Sequence, residues 1–386
     1  MKAGIAALVA GYVLSQFYRA CLAVLTPVLS AELGATAGEL SRASGMWFLC
    51  FAVMQLPVGA ALDRFGPRVL TAGLLALGGG GGAALFALAQ GPTGVIWAMA
   101  LIGVGCSPVL MASYYIFARQ FPPRMFATLG GAVVAAGSLG NVAGTVPLAL
   151  MVEAIGWRTT LWGLTGLTLL VAAVILTFVR NPPAHESGGR GGSVFDILRL
   201  RVLWPLFPLL TVNYVVGAAL RGLWVGPYMR DSYGMGAEGI GWVSLAMGLA
   251  MILGNLVYGP LDRLFGTRKW VILVGNALCG LILVMLAAWS GAPLGVAVAL
   301  IALAGMTGAS FPLIIAHTRA FAPPHLAGRA VTLMNLFSIA GAGVFQYASG
   351  WVFAASGGSY PVLFLFFGLP LLAGALVYAF GRDNLA

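Results

Sequence analysis

Twelve apolar segments, separated by short polar turns, take up most of this 386-residue chain. They run approximately over 3–29, 43–62, 69–90, 94–117, 127–152 and 158–179, then over 204–228, 238–261, 270–290, 294–316, 329–352 and 360–380. Each has about the 20 residues that a helix needs to cross the roughly 30 Å hydrocarbon layer of a membrane. Inside that layer a backbone must satisfy its own hydrogen bonds, which leaves helices for segments of this kind. An all-α membrane protein with twelve transmembrane helices is therefore expected. Composition agrees, because 60% hydrophobic and only 8% charged residues cannot clothe a soluble particle of this size. Met1-Lys2 leads directly into an apolar run too long for the core of a cleavable signal, so none is expected. Cys21, Cys50, Cys106 and Cys279 all lie in apolar runs without C-x-x-C pairing and read as small core residues, and no metal or other cofactor is implied.

The formal net charge of +10 sits mostly in the turns, where it reports membrane topology rather than nucleic-acid binding. With the N-terminus placed in the cytoplasm, fifteen of the twenty Lys and Arg residues fall on the cytoplasmic side, against Arg42, Arg158 and Arg230 on the other. Both termini are thus expected in the cytoplasm, with the chain in the inner membrane. The remaining two, Arg19 and Arg221, lie within spans.

The halves repeat each other at an offset of about 200 residues. LDRFGPR (62–68) recurs as LDRLFGTR (261–268), and ARQFPPRMFA (118–127) as TRAFAPPHLA (318–327). Each copy follows the equivalent helix of its half, the second and the fourth. This describes two pseudo-symmetric six-helix bundles, residues 1–179 and 204–386, with a cavity expected between them near mid-membrane. The linker 180–203 is Pro/Gly-rich and basic, and reads as a flexible tether ending in an amphipathic turn at the membrane surface. A monomer is expected.

GAALDRFGPR (59–68) resembles the loop signature that follows helix 2 in the major facilitator superfamily: Gly, three residues, Asp-Arg, one residue, Gly, one residue, Arg. A degenerate copy follows helix 8, with Tyr258 at the first Gly position and one residue inserted before Gly266. Together with the topology, the resemblance implies a secondary transporter over essentially the whole chain. It makes Gly59, Asp63, Arg64, Gly66, Arg68, Asp262 and Arg263 a candidate cytoplasmic gate. In physical terms, Gly59 would let two helices approach closely, and Gly66 would permit a tight turn. Asp63 would accept hydrogen bonds from a helix N-terminus or pair with a loop arginine. One copy alone is equally a polar turn carrying topology arginines; its repetition favours a latch.

Arg19 stands near the centre of GYVLSQFYRACLAVLTPVL (11–29), with no acidic residue within ten positions on either side. All ten Asp and Glu residues fall in loops or at span ends. An arginine at a helix centre costs about 2.5–3.5 kcal/mol even on a lenient scale, and such residues face watery cavities and mark ion or substrate paths. Reaching the interface from Arg19 would take roughly 15 Å, which argues against snorkelling. Arg221 lies only about seven residues from the outer end of helix 7, and both readings stay open for it. Tyr12, Ser15, Gln16, Arg19 and Thr26 share one helical face. On helix 7, Tyr214, Arg221 and Tyr228 are seven apart, with Trp224 one turn on. Ser138, Asn141 and Thr145 form a thinner stripe on helix 5, which packing also explains. Gly140 with Gly144, and the run LGGGGG (77–82), read as helix contacts. The partner missing from the sequence around Arg19 is expected to be the cargo, an anion. The candidate substrate-binding residues are Arg19, Arg221, Tyr12, Gln16, Tyr214, Trp224 and Asn141.

FYRACLAVLTP resembles helix 1 of the organophosphate/phosphate exchangers, where an Arg stands eight residues before a Pro, as Arg19 does before Pro27. In helix 7 Arg221 stands six residues before Pro227, the eight-back position is Ala219, and helix 5 lacks the His of those exchangers. The resemblance thus implies a relative that moves another small organic anion, a carboxylate or phosphoester. AAGSLGNVAG (135–144) resembles the Gly-Asn signature of nitrate/nitrite porters, without their arginines in helices 2 and 8. The superfamily resemblance also admits a drug or metabolite exporter, or a ligand sensor that does not transport. An enzyme is not expected, since H-E-x-x-H, G-x-S-x-G and a carboxylate pair within a span are all missing from the sequence. Without an Asp, Glu or His at mid-span, exchange or co-transport of a proton carried on the substrate is expected.

Overall fold

A computed structural model describes residues 2–182, 197–321 and 327–383. Most of the expected tether, with His185, Glu186, Arg190 and Asp196, lies outside the described residues, as does His325 in the second echo. Among the described residues, eleven helical runs are long and apolar enough to cross a membrane. One of them, Ala37–Ala87, has 51 residues, roughly twice what a bilayer needs. Gly66 interrupts it with φ 75° and ψ 164°, a conformation open to glycine and closed to residues with a Cβ. The run is therefore two spans, and the count becomes twelve.

The spans are α1 (Lys2–Leu33), α2 (37–65), α3 (67–87), α4 (Pro92–Gln120), α5 (Leu129–Ile155) and α6 (Trp157–Phe178). They continue as α7 (Arg201–Tyr233), α8 (Ala237–Phe265), α9 (Lys269–Ala288), α10 (Leu294–Thr318), α11 (Leu333–Ala355) and α12 (Tyr360–Ala379). A capping box starts α2: Thr36 Oγ1 accepts from the Glu39 backbone N–H at 3.2 Å, and the Thr36 N–H donates to Glu39 Oε2 at 2.9 Å.

Two compact units result, one of Met1–Ser187 with Gly222–Trp242 and the other of Gly188–Arg221 with Val243–Ala386. In the first unit glycines set the packing. A Cβ on Gly78 would sit 2.6 Å from Gly105 Cα, and one on Gly82 would sit 2.6 Å from Ile102 Cγ1, so the glycine run of α3 is the surface on which α4 lies. Part of that run, Leu75–Gly80, is π-helical. Likewise a Cβ on Gly140 would strike the backbone of Val13, and one on Gly144 would come within 3.2 Å of the Phe17 carbonyl oxygen, which brings α5 against α1.

In the second unit α10 is broken between Gly308 and Phe311. Side chains satisfy the carbonyls that the break frees. Asn213 on α7 donates to Gly308 O at 3.2 Å and to Asn276 Oδ1 on α9 at 2.6 Å. Asn276 donates to Ser310 Oγ at 2.9 Å, and the Tyr258 hydroxyl donates to Thr307 O at 2.6 Å. In apolar surroundings such a break is tolerated only where partners of this kind are at hand. The counterpart in the first unit is the break of α4 at Ser107-Pro108, where Gln55 Nε2 donates to Ser107 O at 3.5 Å.

Candidate functional site

Arg19 is 7% exposed in the middle of α1. Its guanidinium carbon lies 4.7 Å from the ring centroid of Trp47 and 4.8 Å from that of Phe51. These two residues, one turn apart on α2, stack on each other at 5.0 Å and 18°. The negative faces of the rings attract the cation, by about 2 kcal/mol where water is excluded, which offsets part of the desolvation of Arg19. Neither ring was legible as a site residue, because an aromatic pair four apart on an apolar helix reads as core.

The rest of the α1 stripe meets a different neighbour. Gln16 Nε2 donates to the Tyr12 hydroxyl at 2.8 Å, and both residues are buried. A Cβ on Gly137 would lie 2.6 Å from Tyr12 Cδ1, so Tyr12 and Gln16 pack against α5 while Arg19 packs against α2. Thr26 donates to Leu22 O at 3.0 Å and Thr145 to Val142 O at 2.6 Å, so both hydroxyls serve their own helices. Asn141 is half-buried on α5 beside Gly140.

On α7 the sequence spacing assumed an uninterrupted α-helix. Residues Gly217–Trp224 are π-helical, which takes more residues per turn and breaks the seven-residue register. Tyr214 and Arg221 therefore do not share a stripe with Tyr228. Arg221 is 5% exposed and belongs to the second unit, as does Tyr214, whose ring lies 6.1 Å from that of Phe311. Trp224 is fully buried in the first unit. There Gly222 and Gly226 press on α1: a Cβ on Gly222 would sit 2.9 Å from Arg19 O, and one on Gly226 would sit 2.8 Å from Thr26 Oγ1.

The candidate gate is built differently in its two copies. Asp63 Oδ1 is 3.0 Å from Arg119 Nη2 at the end of α4. Arg119 also donates to the Tyr115 hydroxyl, and its guanidinium lies 3.8 Å from that ring centroid. Arg64 and Arg68 are exposed, Arg64 lying against Phe65. In the second copy Asp262 pairs within its own loop, with Arg268 Nε at 3.0 Å, and Arg263 is exposed. Asp262, Arg263 and Arg268 line a cavity of about 620 Å³ with Asn255, Tyr258 and Pro312. Gly59 corrects an expectation: a Cβ there would meet only Met111 Cε at 3.7 Å, an ordinary contact, so no close helix approach calls for glycine.

A repeated strap holds each loop, and it was not read from the sequence. The Arg68 N–H donates to Asn181 Oδ1 at 3.0 Å, just past α6, and Arg68 Nε donates to Leu176 O on that helix. In the second unit the Lys269 N–H donates to Asp383 Oδ1 at 3.0 Å, just past α12, and Thr267 Oγ1 bonds Asp383 Oδ2. The signal is the pair Arg180-Asn181, repeated as Arg382-Asp383. A carboxylate at a helix N-terminus is favourable twice over, by hydrogen bonding and by the helix dipole. Asp383→Ala is therefore expected to destabilise the purified protein by about 1 kcal/mol, read as a lowered unfolding temperature. An unchanged temperature would reduce the strap to an incidental contact.

Comparison with known proteins agrees with this architecture. The sequence matches the Major Facilitator Superfamily over residues 8–226 and again over 211–385. It is 29% identical to the transcription regulatory protein OpdE of Pseudomonas aeruginosa, over 76% of this chain and 72% of that one. It is 21% identical to a putative tartrate transporter of Agrobacterium vitis, over 92% and 84% respectively. The match to the uncharacterized transporter YybO of Bacillus subtilis, 25% identical, covers 45% of this chain and only 40% of that protein's length. Among solved structures, a D-xylose-proton symporter superposes with a TM-score of 0.77 at 14% identity, covering 98% of this chain and 97% of that one. Twelve helical spans among the described residues, with the Ala37–Ala87 run divided at Gly66, the repeated Asp-Arg loops and the match along nearly the whole sequence lead to one conclusion: the chain belongs to the Major Facilitator Superfamily of membrane transporters.

Proposed function

We propose that the chain carries a small organic anion, a carboxylate or a phosphoester, across the cytoplasmic membrane by alternating access, with Arg19 as the principal counter-charge. The observation that carries this reading is a guanidinium 7% exposed at mid-span and laid on two aromatic rings. Arginine cannot deprotonate there, and a planar fork of donors suits a carboxylate or phosphate gripped at two points. The relative named as a putative tartrate transporter supports the same substrate class. Tyr12, Gln16, Asn141 and Trp224, with Tyr214 and Arg221 of the second unit, are assigned to the substrate path on this reading. The transport mode is exchange of anions, or symport of a proton carried on the substrate. The test is counterflow in proteoliposomes loaded with L-tartrate, D-galactonate or glycerol 3-phosphate. Proton-driven accumulation of a neutral or cationic solute, with no anion counterflow, would overturn the proposal.

The name of the relative OpdE favours a second reading, a ligand sensor built on a transporter fold. Saturable binding of an anion without counterflow would select it.

Orientation follows from the arginine bias of the loops, with both termini in the cytoplasm. Reporter fusions at Gly188 are expected to report the cytoplasm and fusions at Gly38 the opposite side. The reverse pattern would overturn the orientation.

A further inference from the structure

We infer that the indole N–H of Trp47 is a second donor to the anion held by Arg19. The inference rests on the anion reading above and adds a residue to it. Trp47 is fully buried, and its Nε1 meets no hydrogen-bond acceptor among the described residues. A tryptophan N–H is a donor only, and buried tryptophans usually find it a partner. The same ring lies against the Arg19 guanidinium, itself a donor without acceptor capacity. Two donors therefore meet at one place at mid-span, where the α1 sequence has no acidic residue within ten positions of Arg19. An oxyanion is the ligand that such a pair fits.

The arrangement is held firmly enough to act as a site. A Cβ on Gly103 of α4 would lie 3.1 Å from Trp47 Cα, so α4 presses directly on the Trp47 backbone. Phe51 stacks on the indole from the next turn, and Phe48 meets it edge-on at 5.0 Å. The N–H groups of a guanidinium lie in its plane, along its edge. A carboxylate or phosphate gripping that edge keeps an oxygen for the indole. Nitrate could be gripped too, but its weaker basicity makes it the poorer acceptor.

The test uses the purified full-length protein and measures thermal shift and binding with L-tartrate, D-galactonate, glycerol 3-phosphate and nitrate. Trp47→Phe keeps a ring under Arg19 and removes the N–H. It is expected to bind the best of these probes about tenfold more weakly, the size of a lost hydrogen bond to a charged group, with the unliganded unfolding temperature little changed. Should Trp47→Phe fail to fold, benzothienylalanine at position 47 keeps the double ring, replaces the N–H by sulfur, and is expected to show the same loss. Binding within twofold of the wild type by the variant that folds, while Arg19→Ala has lost binding, would overturn this inference alone. Retained binding in Arg19→Ala, or no binding of any probe by the wild type, would overturn the anion reading and this inference with it.

Discussion

Arg19→Ala is expected to abolish anion transport, and Arg19→Lys to weaken substrate binding by about tenfold or more. The two variants separate charge from shape. Lysine keeps the positive charge but presents a compact ammonium in place of a planar fork, and it stacks less well on the rings of Trp47 and Phe51, 4.7 and 4.8 Å from the Arg19 carbon. Alanine removes both. Truncating one member of a buried charge pair costs 2–5 kcal/mol, or about 30- to 4,000-fold in affinity. Stability is expected to move little or upward, because an arginine at a span centre is itself costly to bury. Loss of counterflow without loss of unfolding temperature is therefore the signature to measure. Unimpaired transport by Arg19→Ala would remove the anion proposal.

The same residue bears on coupling. The described spans place acidic side chains at their ends, as with Asp63 and Asp262. His317, near the end of α10, is fully buried, with Nδ1 2.6 Å from the Tyr378 hydroxyl and Nε2 3.8 Å from Asp383. Those contacts tie it to the strap at α9 and α12. On this reading the anion itself balances the Arg19 charge during the cycle, by exchange or together with a proton carried on the substrate.

The spans were legible because hydropathy over some 20 residues is a strong signal, and the observed limits differ from the expected ones by a few residues. What the sequence concealed was context. The α2–α3 loop reads as a turn, and the structure fuses it into one helical run broken only at Gly66. The Trp47–Phe51 shelf was missed because apolar aromatics carry no mark of the charge they will hold. Arg119 counted as a topology arginine, although it reaches Asp63 at 3.0 Å across 56 positions. The α7 stripe failed for a different reason. Periodicity assumes 3.6 residues per turn, and the π-helical stretch Gly217–Trp224 has no reliable sequence mark.

Asp63→Asn is expected to cut transport by about tenfold while leaving substrate binding near the wild-type value. The Asp63–Arg119 pair cannot be there for stability: the Asp63 side chain is 68% exposed, and exposed pairs contribute only about 0–1 kcal/mol. Yet Arg119 is tethered on its other side, against the Tyr115 ring and hydroxyl. Arg68 is likewise strapped to the end of α6. The loop thus holds a carboxylate at a fixed place on the first unit, which suits a latch that breaks and re-forms in each cycle. Asparagine preserves shape and hydrogen bonding but removes the charge, so it tests the electrostatic part alone. A shift in the balance of conformations accompanies the loss if the latch favours one of them; cysteine accessibility on either side of the membrane would register it. The measurement is the initial rate of counterflow against binding affinity for the same probe anion. The swapped pair Asp63→Arg with Arg119→Asp is expected to recover part of the rate if the pairing matters and its direction does not. Full activity in Asp63→Asn would reduce the motif to a topology signal, its arginines retained only to keep the loop on the cytoplasmic side.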